Sequence, residues 1–213
     1  MKDTFLHEKI YRGESFFKRI AEQSILVCGC GAIGSNLLDN MVRQGFTKVS
    51  VIDFDRIEDH NRNTQLWGKR DSGQPKVKMI KNKIYMDMGV DVVPYDLRLT
   101  DETISKVFKD HKRSIVVDGF DNTESRKLVT EYCKLQSIEC LHVGLSSDYA
   151  EVIWNERYRV PKASGEDVCE YPMARNIILL AVAVATEVII RFIAEGIKEN
   201  YTITLGDFKI SLM

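Results

Sequence analysis

The sequence lacks the features that mark a stapled, secreted or membrane-spanning chain. Its five cysteines, Cys28, Cys30, Cys133, Cys140 and Cys169, form an odd set without a Cys-x-x-Cys pair, which excludes a tetrahedral zinc site built from two such pairs. No uninterrupted apolar segment occurs in the N-terminal stretch MKDTFLHEKIYRG, so it is not a secretory signal, and a cytosolic protein is expected. The longest apolar run, Ile177 to Thr186, is closed by Glu187 and broken again at Arg191, short of the roughly 20 residues that span a bilayer. An excess of one charge is also missing: 30 basic side chains face 31 acidic ones, unlike the basic surplus of a nucleic-acid-binding domain. Neither an internal repeat nor a low-complexity linker is present. With 213 residues, one domain can bury on the order of 70% of its unfolded surface and needs no disulfide or structural metal.

From Ser24 onward, short β-branched runs alternate with longer helical patterns. This is the mark of βαβ units, and it predicts an α/β fold: a Rossmann-like, doubly wound, mostly parallel sheet with helices on both faces. Strands are expected at 24–28, 48–53, 91–95, 114–118, 139–143 and 151–154, and helices at 32–44, 75–88, 101–110 and 122–136. Residues 158–171 read as a polar loop or lid. A long apolar helix from Met173 to Glu195 follows, stopped by Gly196, and then a β-hairpin turning at Gly206-Asp207. We read residues 1–213 as one domain: an N-terminal helical segment (1–23), a nucleotide-binding core (24–155), and a terminal loop, helix and hairpin (156–213).

Ile25-Leu26-Val27-Cys28 runs into Gly29-Cys30-Gly31-Ala32-Ile33-Gly34, a G-x-G-x-x-G sequence between a strand and a helix. In such a turn the first glycine permits the bend, the second lets a phosphate approach the backbone, and the third lets helix and strand pack closely. Free N–H groups at the helix start then face the anion. Asp53 ends the next strand, where a carboxylate can hold ribose hydroxyls. Its position marks a nucleotide site without choosing between NAD and ATP.

Further blocks follow in order: Asp53-Phe54-Asp55-Arg56-Ile57-Glu58 leading to Asn61-Arg62-Asn63-Thr64-Gln65, then Gly73-Gln74-Pro75-Lys76, and Asp118-Gly119-Phe120-Asp121-Asn122 with Arg126. The series resembles the ThiF/MoeB/HesA family of ubiquitin-like-protein-activating enzymes over roughly residues 12–140, and more loosely over the 177–196 helix. The resemblance implies ATP-dependent adenylation of a carboxylate with release of pyrophosphate. Gly29, Gly31, Ala32, Ile33 and Gly34 would cradle the phosphates, Asp53 would hold the ribose, and Asp55, Asn61, Gln65 and Asn122 would complete the nucleotide site. Lys76 would neutralise phosphate charge in the transition state, and Asp121 would hold Mg²⁺. Each has a plainer reading: Lys76 shares a Lys-rich helix with Lys78, Lys81 and Lys83, and Asp121 is placed to cap the next helix.

Two departures stand out. The family's Asn-Leu-Asn-Arg-Gln is here Asn61-Arg62-Asn63-Thr64-Gln65, so the phosphate-contacting arginine is Thr64 by register, with Arg62 as its candidate replacement. Family dimers place an N-terminal arginine in the partner's site, a role for which Arg12 is the candidate; its alternative is an ordinary helix charge. The four zinc-binding cysteines of many members are absent, so no zinc is expected. Cys28, Cys30, Cys133 and Cys140 read as packing residues. Cys169 is the one candidate nucleophile, although Glu166, Asp167 and Glu170 would raise its thiol pKa. Trp154, Tyr158, Tyr171 and Arg175 either line a groove for an extended C-terminal tail or pack beneath a loop.

The expected partner is a ubiquitin-like or sulfur-carrier protein ending in Gly-Gly, and the expected assembly is a homodimer. Adenylation of a tRNA base or a peptide, or a nucleotide-binding scaffold without turnover, are the alternatives. An NAD-dependent dehydrogenase would explain the glycine turn and Asp53 but would leave Lys76 and Asp121-Asn122 without a task.

Overall fold

A computed structural model describes residues 3–161 and 172–213. Two short helices, α1 (Leu6–Arg12) and α2 (Glu14–Glu22), lead into β1 (Ser24–Cys28) and α3 (Ala32–Arg43). The chain continues through β2 (Lys48–Ile52), α4 (Lys76–Met88), β3 (Val93–Tyr95), α5 (Asp101–Phe108), β4 (Ile115–Asp118) and α6 (Thr123–Gln136). It ends with β5 (Cys140–Ser146), β6 (Tyr149–Trp154), α7 (Arg175–Glu195), β7 (Tyr201–Thr204) and β8 (Lys209–Leu212). All eight strands join one sheet in the order β3-β2-β1-β4-β5-β6-β7-β8. The first five are parallel and the last three continue antiparallel.

Central strands of a parallel sheet are buried on both faces and therefore read as unbroken apolar runs. In β1, Ile25 and Val27 point toward Leu37 and Leu38 of α3, Ile80 and Ile84 of α4, and Ala181 and Ile189 of α7. Leu26 and Cys28 point the other way, toward Ile104 and Phe108 of α5 and Val129 and Cys133 of α6. Helices thus cover both faces, as the alternating pattern predicts. The whole of α7, unlike its longest unbroken apolar run, is long and apolar enough to cross a membrane, but nine of its side chains, from Ile177 to Ile190, are buried in the fold. Its apolar character serves the core.

Element boundaries differ from expectation mainly in the antiparallel part. β5 runs on to Ser146 and meets β6 at Tyr149, through a tight turn in which Ser147 adopts φ 56°. Glycine usually fills that conformation, so Ser147-Asp148 gave no turn signal. The β7–β8 connection spans four residues, Leu205 to Phe208, rather than two. β3 begins at Val93, later than the expected 91.

Strand order reverses between β1 and β4, so the chain leaves these neighbours toward opposite faces of the sheet. Ligands of open α/β sheets bind in the crevice at the carboxyl ends of such a pair. Gly29 and Gly119 begin the two loops that rim it.

Candidate active site

The glycine turn is fixed by close backbone packing. Gly29 has φ +92°, and a β-carbon there would lie 3.1 Å from the Gly119 carbonyl oxygen. Its amide donates to the Ile52 carbonyl at 2.8 Å, while the Gly119 amide donates to Cys28 at 2.9 Å. Gly34, in the first turn of α3, packs so tightly on the bend that a β-carbon would stand 1.9 Å from the Gly29 carbonyl oxygen. Gly31 is different: nothing lies within 4 Å of the position a side chain would take. It precedes a helix with no side-chain cap, so the first-turn amides, beginning with Ala32 and Ile33, form an anion-accepting end beside open space.

Behind this turn lies a cluster of three charges. The buried Asp53 carboxylate accepts the Cys30 amide at 2.6 Å and the Asp55 amide at 2.7 Å. One side chain thereby ties the glycine turn to the end of β2. Burial raises its pKa above the usual carboxylate value, against the lowering influence of Lys76 and the two amides. Lys76 opens α4, aimed by an antiparallel clasp in which Ile57 donates to Gln74 at 2.9 Å and Lys76 donates to Asp55 at 3.0 Å, both between backbone atoms. Its Nζ donates to Asp55 Oδ2 at 3.0 Å. Burial pulls the Lys76 pKa down, but Asp53 and Asp55 outweigh it and the net direction is upward. The ammonium is therefore charged at neutral pH.

Asp121 and Asn122 stand on the turn after β4, next to the Gly119 contact with Gly29. Asn122 caps α6, its Oδ1 accepting the Ser125 amide at 2.8 Å. The Asp121 carboxylate is exposed, and among the described residues the Asn122 amide approaches it, at 3.5 Å. Asn61 and Gln65 hold the chain between β2 and α4: Asn61 Oδ1 accepts the Glu58 amide at 3.0 Å, and Gln65 Oε1 accepts the Trp67 indole N–H at 2.6 Å. Thr64 is joined to α3 through its carbonyl, which accepts Asn36 Nδ2 at 2.9 Å.

The two candidate arginines lie apart from the charge cluster. Arg62 reaches toward Asp59, its Nε 3.3 Å from the backbone oxygen, on the wall of an open concavity of about 570 Å³ shared with His60, Trp67 and Lys69. Arg12 is gripped within its own chain by Glu8 at 2.7 Å and Glu187 at 2.9 Å, with Gln44 at 3.3 Å. Gln44 follows the C-terminal end of α3, the end remote from the glycine turn. Cys28, Cys30, Cys133 and Cys140 are buried free thiols, and burial pushes those of Cys28, Cys30 and Cys140 well above the ordinary value. Cys169 and Tyr171 lie outside the described residues. Trp154 and Tyr158 are buried, whereas Arg175 is exposed and donates to the Asn63 carbonyl at 3.0 Å.

The sequence marks Asp118, at the end of β4, for metal or loop-anchoring work, but it gives no sign of the polar assembly that this residue joins beneath α6. Asp118, fully buried, accepts the Phe120 amide at 3.1 Å on Oδ1 and faces His142 Nδ1 at 2.8 Å on Oδ2. Burial works to raise its pKa, but the Arg126 guanidinium at 3.9 Å and the His142 bond win, and the carboxyl sits below the usual range. An isolated histidine inside an apolar strand carries no motif, so His142 gave no signal.

A Rossmann-like α/β sheet with an anion-accepting glycine turn, a buried lysine and flanking carboxylates at its switch point defines a nucleotide-site architecture. The chain belongs to the ThiF family, whose model matches residues 7–191. It is 36% identical over 107 residues to the NEDD8-activating enzyme E1 catalytic subunit of Arabidopsis thaliana, covering 49% of this chain and 23% of that protein. With SUMO-activating enzyme subunit 2 of Dictyostelium discoideum the identity is 30% over 156 residues, 71% of this chain and 23% of the relative. The sulfur carrier protein adenylyltransferase of Thermus thermophilus is 31% identical over 116 residues, 54% of this chain and 42% of the relative. The chain thus spans less than half the length of these relatives. Among solved structures, E. coli MccB with ATP superposes with a TM-score of 0.80 at 19% identity, covering 100% of this chain and 71% of MccB. That likeness extends over the whole sheet and its helices, and it is one of fold.

Proposed function

We propose that this chain is an ATP-dependent adenylyltransferase that activates the C-terminal carboxylate of a small ubiquitin-like or sulfur-carrier protein and works as a homodimer. The carrying observation is the Lys76, Asp53 and Asp55 cluster behind the open Gly31 turn. An acyl carboxylate oxygen attacks the α-phosphorus, the bond to the bridging oxygen of the β-phosphate breaks, and pyrophosphate leaves with the electron pair. Little covalent chemistry is asked of the protein, so its residues act by position and charge. The open backbone at Gly31 and the first turn of α3 receive phosphate oxygens. Lys76, charged and nearly buried, meets the charge that grows on the leaving group. Asp53 holds the glycine turn in place and offers its remaining lone pairs to the ribose.

Asp121 fits a magnesium ligand because its carboxylate is exposed and, among the described residues, is paired with no cation. Among the described residues no three acidic, histidine or cysteine side chains form a metal cluster, which suits an ion held by one carboxylate, water and substrate phosphates. When bound, Mg²⁺ supplies charge neutralisation for pyrophosphate departure.

The relatives named as E1 subunits and as a sulfur carrier protein adenylyltransferase support this substrate class. A peptide acceptor is the second reading, since MccB has been solved with MccA. Pyrophosphate–ATP exchange, run with and without carriers ending in Gly-Gly, tests the proposal. Exchange should appear with a carrier and fall sharply in Lys76→Ala and Asp121→Ala; unchanged exchange in both variants overturns the site assignment. Binding of NADH without ATP would instead mark a dehydrogenase. Whether Cys169 forms a thioester is read by alkylating it and following product formation.

A further inference from the structure

We propose that His142 is a positioning residue for the loop that carries Asp121, acting through Asp118; its bearing on turnover rests on the adenylation reading above. Asp118, His142, Tyr158 and Arg126 form a closed ring of contacts under α6. His142 Nδ1 lies 2.8 Å from Asp118 Oδ2. The imidazole stacks on Tyr158 with ring centroids 3.8 Å apart and planes 5° from parallel. The Tyr158 hydroxyl accepts Arg126 Nη1 at 3.0 Å, and the same guanidinium returns to within 3.9 Å of Asp118. Arg126 Nη2 donates to the Val143 carbonyl at 2.8 Å.

The ring is held at its far side as well. His142 Nε2 lies 2.8 Å from Asn155 Oδ1, and the Asn155 amide nitrogen donates to the Thr130 carbonyl at 3.3 Å. Asp118 and His142 are fully buried, and Asn155 and Arg126 nearly so. Asp118 and Asn155 each present an oxygen to the imidazole, so Nδ1 and Nε2 are the donors of its two hydrogen bonds. A buried polar ring of this size is a poor means of gaining stability, since well-packed apolar side chains do as well or better. What it provides is a single arrangement, because each member is fixed by at least two others.

That arrangement ends on the active-site loop. Asp118 Oδ1 accepts the Phe120 amide at 3.1 Å, one residue before Asp121. The Gly119 carbonyl lies against the glycine turn, 3.1 Å from where a Gly29 β-carbon would stand. His142 sets the carboxylate, the carboxylate sets the Phe120 amide, and the loop presents Asp121 and Asn122. His142 itself is sealed from substrate.

Two variants separate positioning from packing. His142→Phe keeps a ring for the Tyr158 stack and removes both hydrogen bonds, whereas the amide of His142→Asn replaces the Nδ1 donor. Under the proposal, His142→Phe loses at least tenfold of the Phe120 amide's protection against hydrogen exchange, and exchange kcat falls about tenfold with the ATP KM nearly unchanged. His142→Asn recovers most of both. Full protection and full kcat in the Phe variant overturn the proposal, as does failure of the Asn variant to recover either. If the Phe variant does not fold, the parent protein decides: a Phe120 amide that exchanges at an open-loop rate refutes the positioning. Lack of turnover in the parent with every carrier counts against the adenylation reading alone, since amide protection is read without turnover.

Discussion

Replacing Gly34 by alanine should destabilise the protein, although alanine is the better helix former. In the first turn of a helix that exchange ordinarily stabilises by up to about 1 kcal/mol. Here the added β-carbon would meet the Gly29 carbonyl oxygen at 1.9 Å and its carbon at 2.9 Å. Both are backbone atoms, so no side-chain rotation relieves the clash. Gly29 cannot retreat freely either, because its amide is bonded to Ile52 and Gly119 lies against its other side. Overpacking in well-filled sites costs roughly 1–3 kcal/mol. A rigid backbone obstacle belongs at the upper end, and subtracting the helix preference leaves a net loss of about 2 kcal/mol, or roughly 4–8 °C in Tm for a chain of this size.

Gly31→Ala is the control. Nothing lies within 4 Å of the position its side chain would take, so no clash arises and the loss of stability should be smaller than that of Gly34→Ala, at most about 1 kcal/mol. The new methyl group would instead stand where phosphate is proposed to approach, and ATP affinity should fall about tenfold or more, equivalent to about 1.4 kcal/mol. Urea midpoints at constant m-value and calorimetric ATP titrations read the two effects separately. A Gly34→Ala protein as stable as its parent would refute the packing argument. Normal ATP binding by Gly31→Ala would place the phosphates elsewhere.

The other predictions use the same site and its supports. Lys76→Ala should lower exchange kcat by on the order of 10²–10³ and move the Asp53 carboxyl further upward, because Lys76 is the leading influence opposing burial there; carbon NMR of the carboxyl reads the shift. The Asp118 pKa is depressed below its ordinary 3.8, so on acidification the unfolded chain takes up that proton first. Its contribution to stability is therefore present above pH 3.8 and lost as pH falls through the native value; Asp118→Asn should flatten that acid limb in denaturation midpoints. Arg12→Ala should cost about 1 kcal/mol and raise amide exchange across α1, which Arg12 fastens to Glu187. Chelating Mg²⁺ should weaken ATP binding by at least about tenfold in the parent and much less in Asp121→Ala; equal weakening in both would remove Asp121 as the ligand.

Much of this architecture was legible because parallel strands and their crossover helices leave a strong periodic trace. β1 at 24–28 and the start of α3 at residue 32 follow directly from an apolar run meeting three spaced glycines. The candidate site left a trace where its residues stand together along the chain, as in Gly73-Gln74-Pro75-Lys76. Long-range side-chain pairing was hidden. The position of Asp53 suggested a ribose ligand, but nothing local showed that both its oxygens already accept backbone amides. Arg12 looked like an exposed helix charge or a partner's arginine, and its pairing with Glu187 spans 175 positions. His142, Asn155 and Tyr158 come from different segments and meet only after the sheet has formed.

The way Lys76 is paired bears on how it can serve a nucleotide. With Thr64 in the register of the family's arginine, the cluster around the glycine turn holds two carboxylates and one ammonium and is negative before any phosphate arrives. A lysine locked onto the buried Asp53 could leave only by stranding an unpaired charge in the interior. Its direct bond is instead to Asp55, whose side chain is 47% exposed while that of Lys76 is 8% exposed. If Nζ turns to a phosphate oxygen, Asp55 regains water at little cost, and Asp53 keeps the Cys30 and Asp55 amides. The uncapped first turn of α3 adds positive potential on the same side. Exchange of partners at Lys76 is thus inexpensive in free energy, and under the proposed adenylation the remaining phosphate charge would fall to a metal ion or to an arginine brought from outside the cluster.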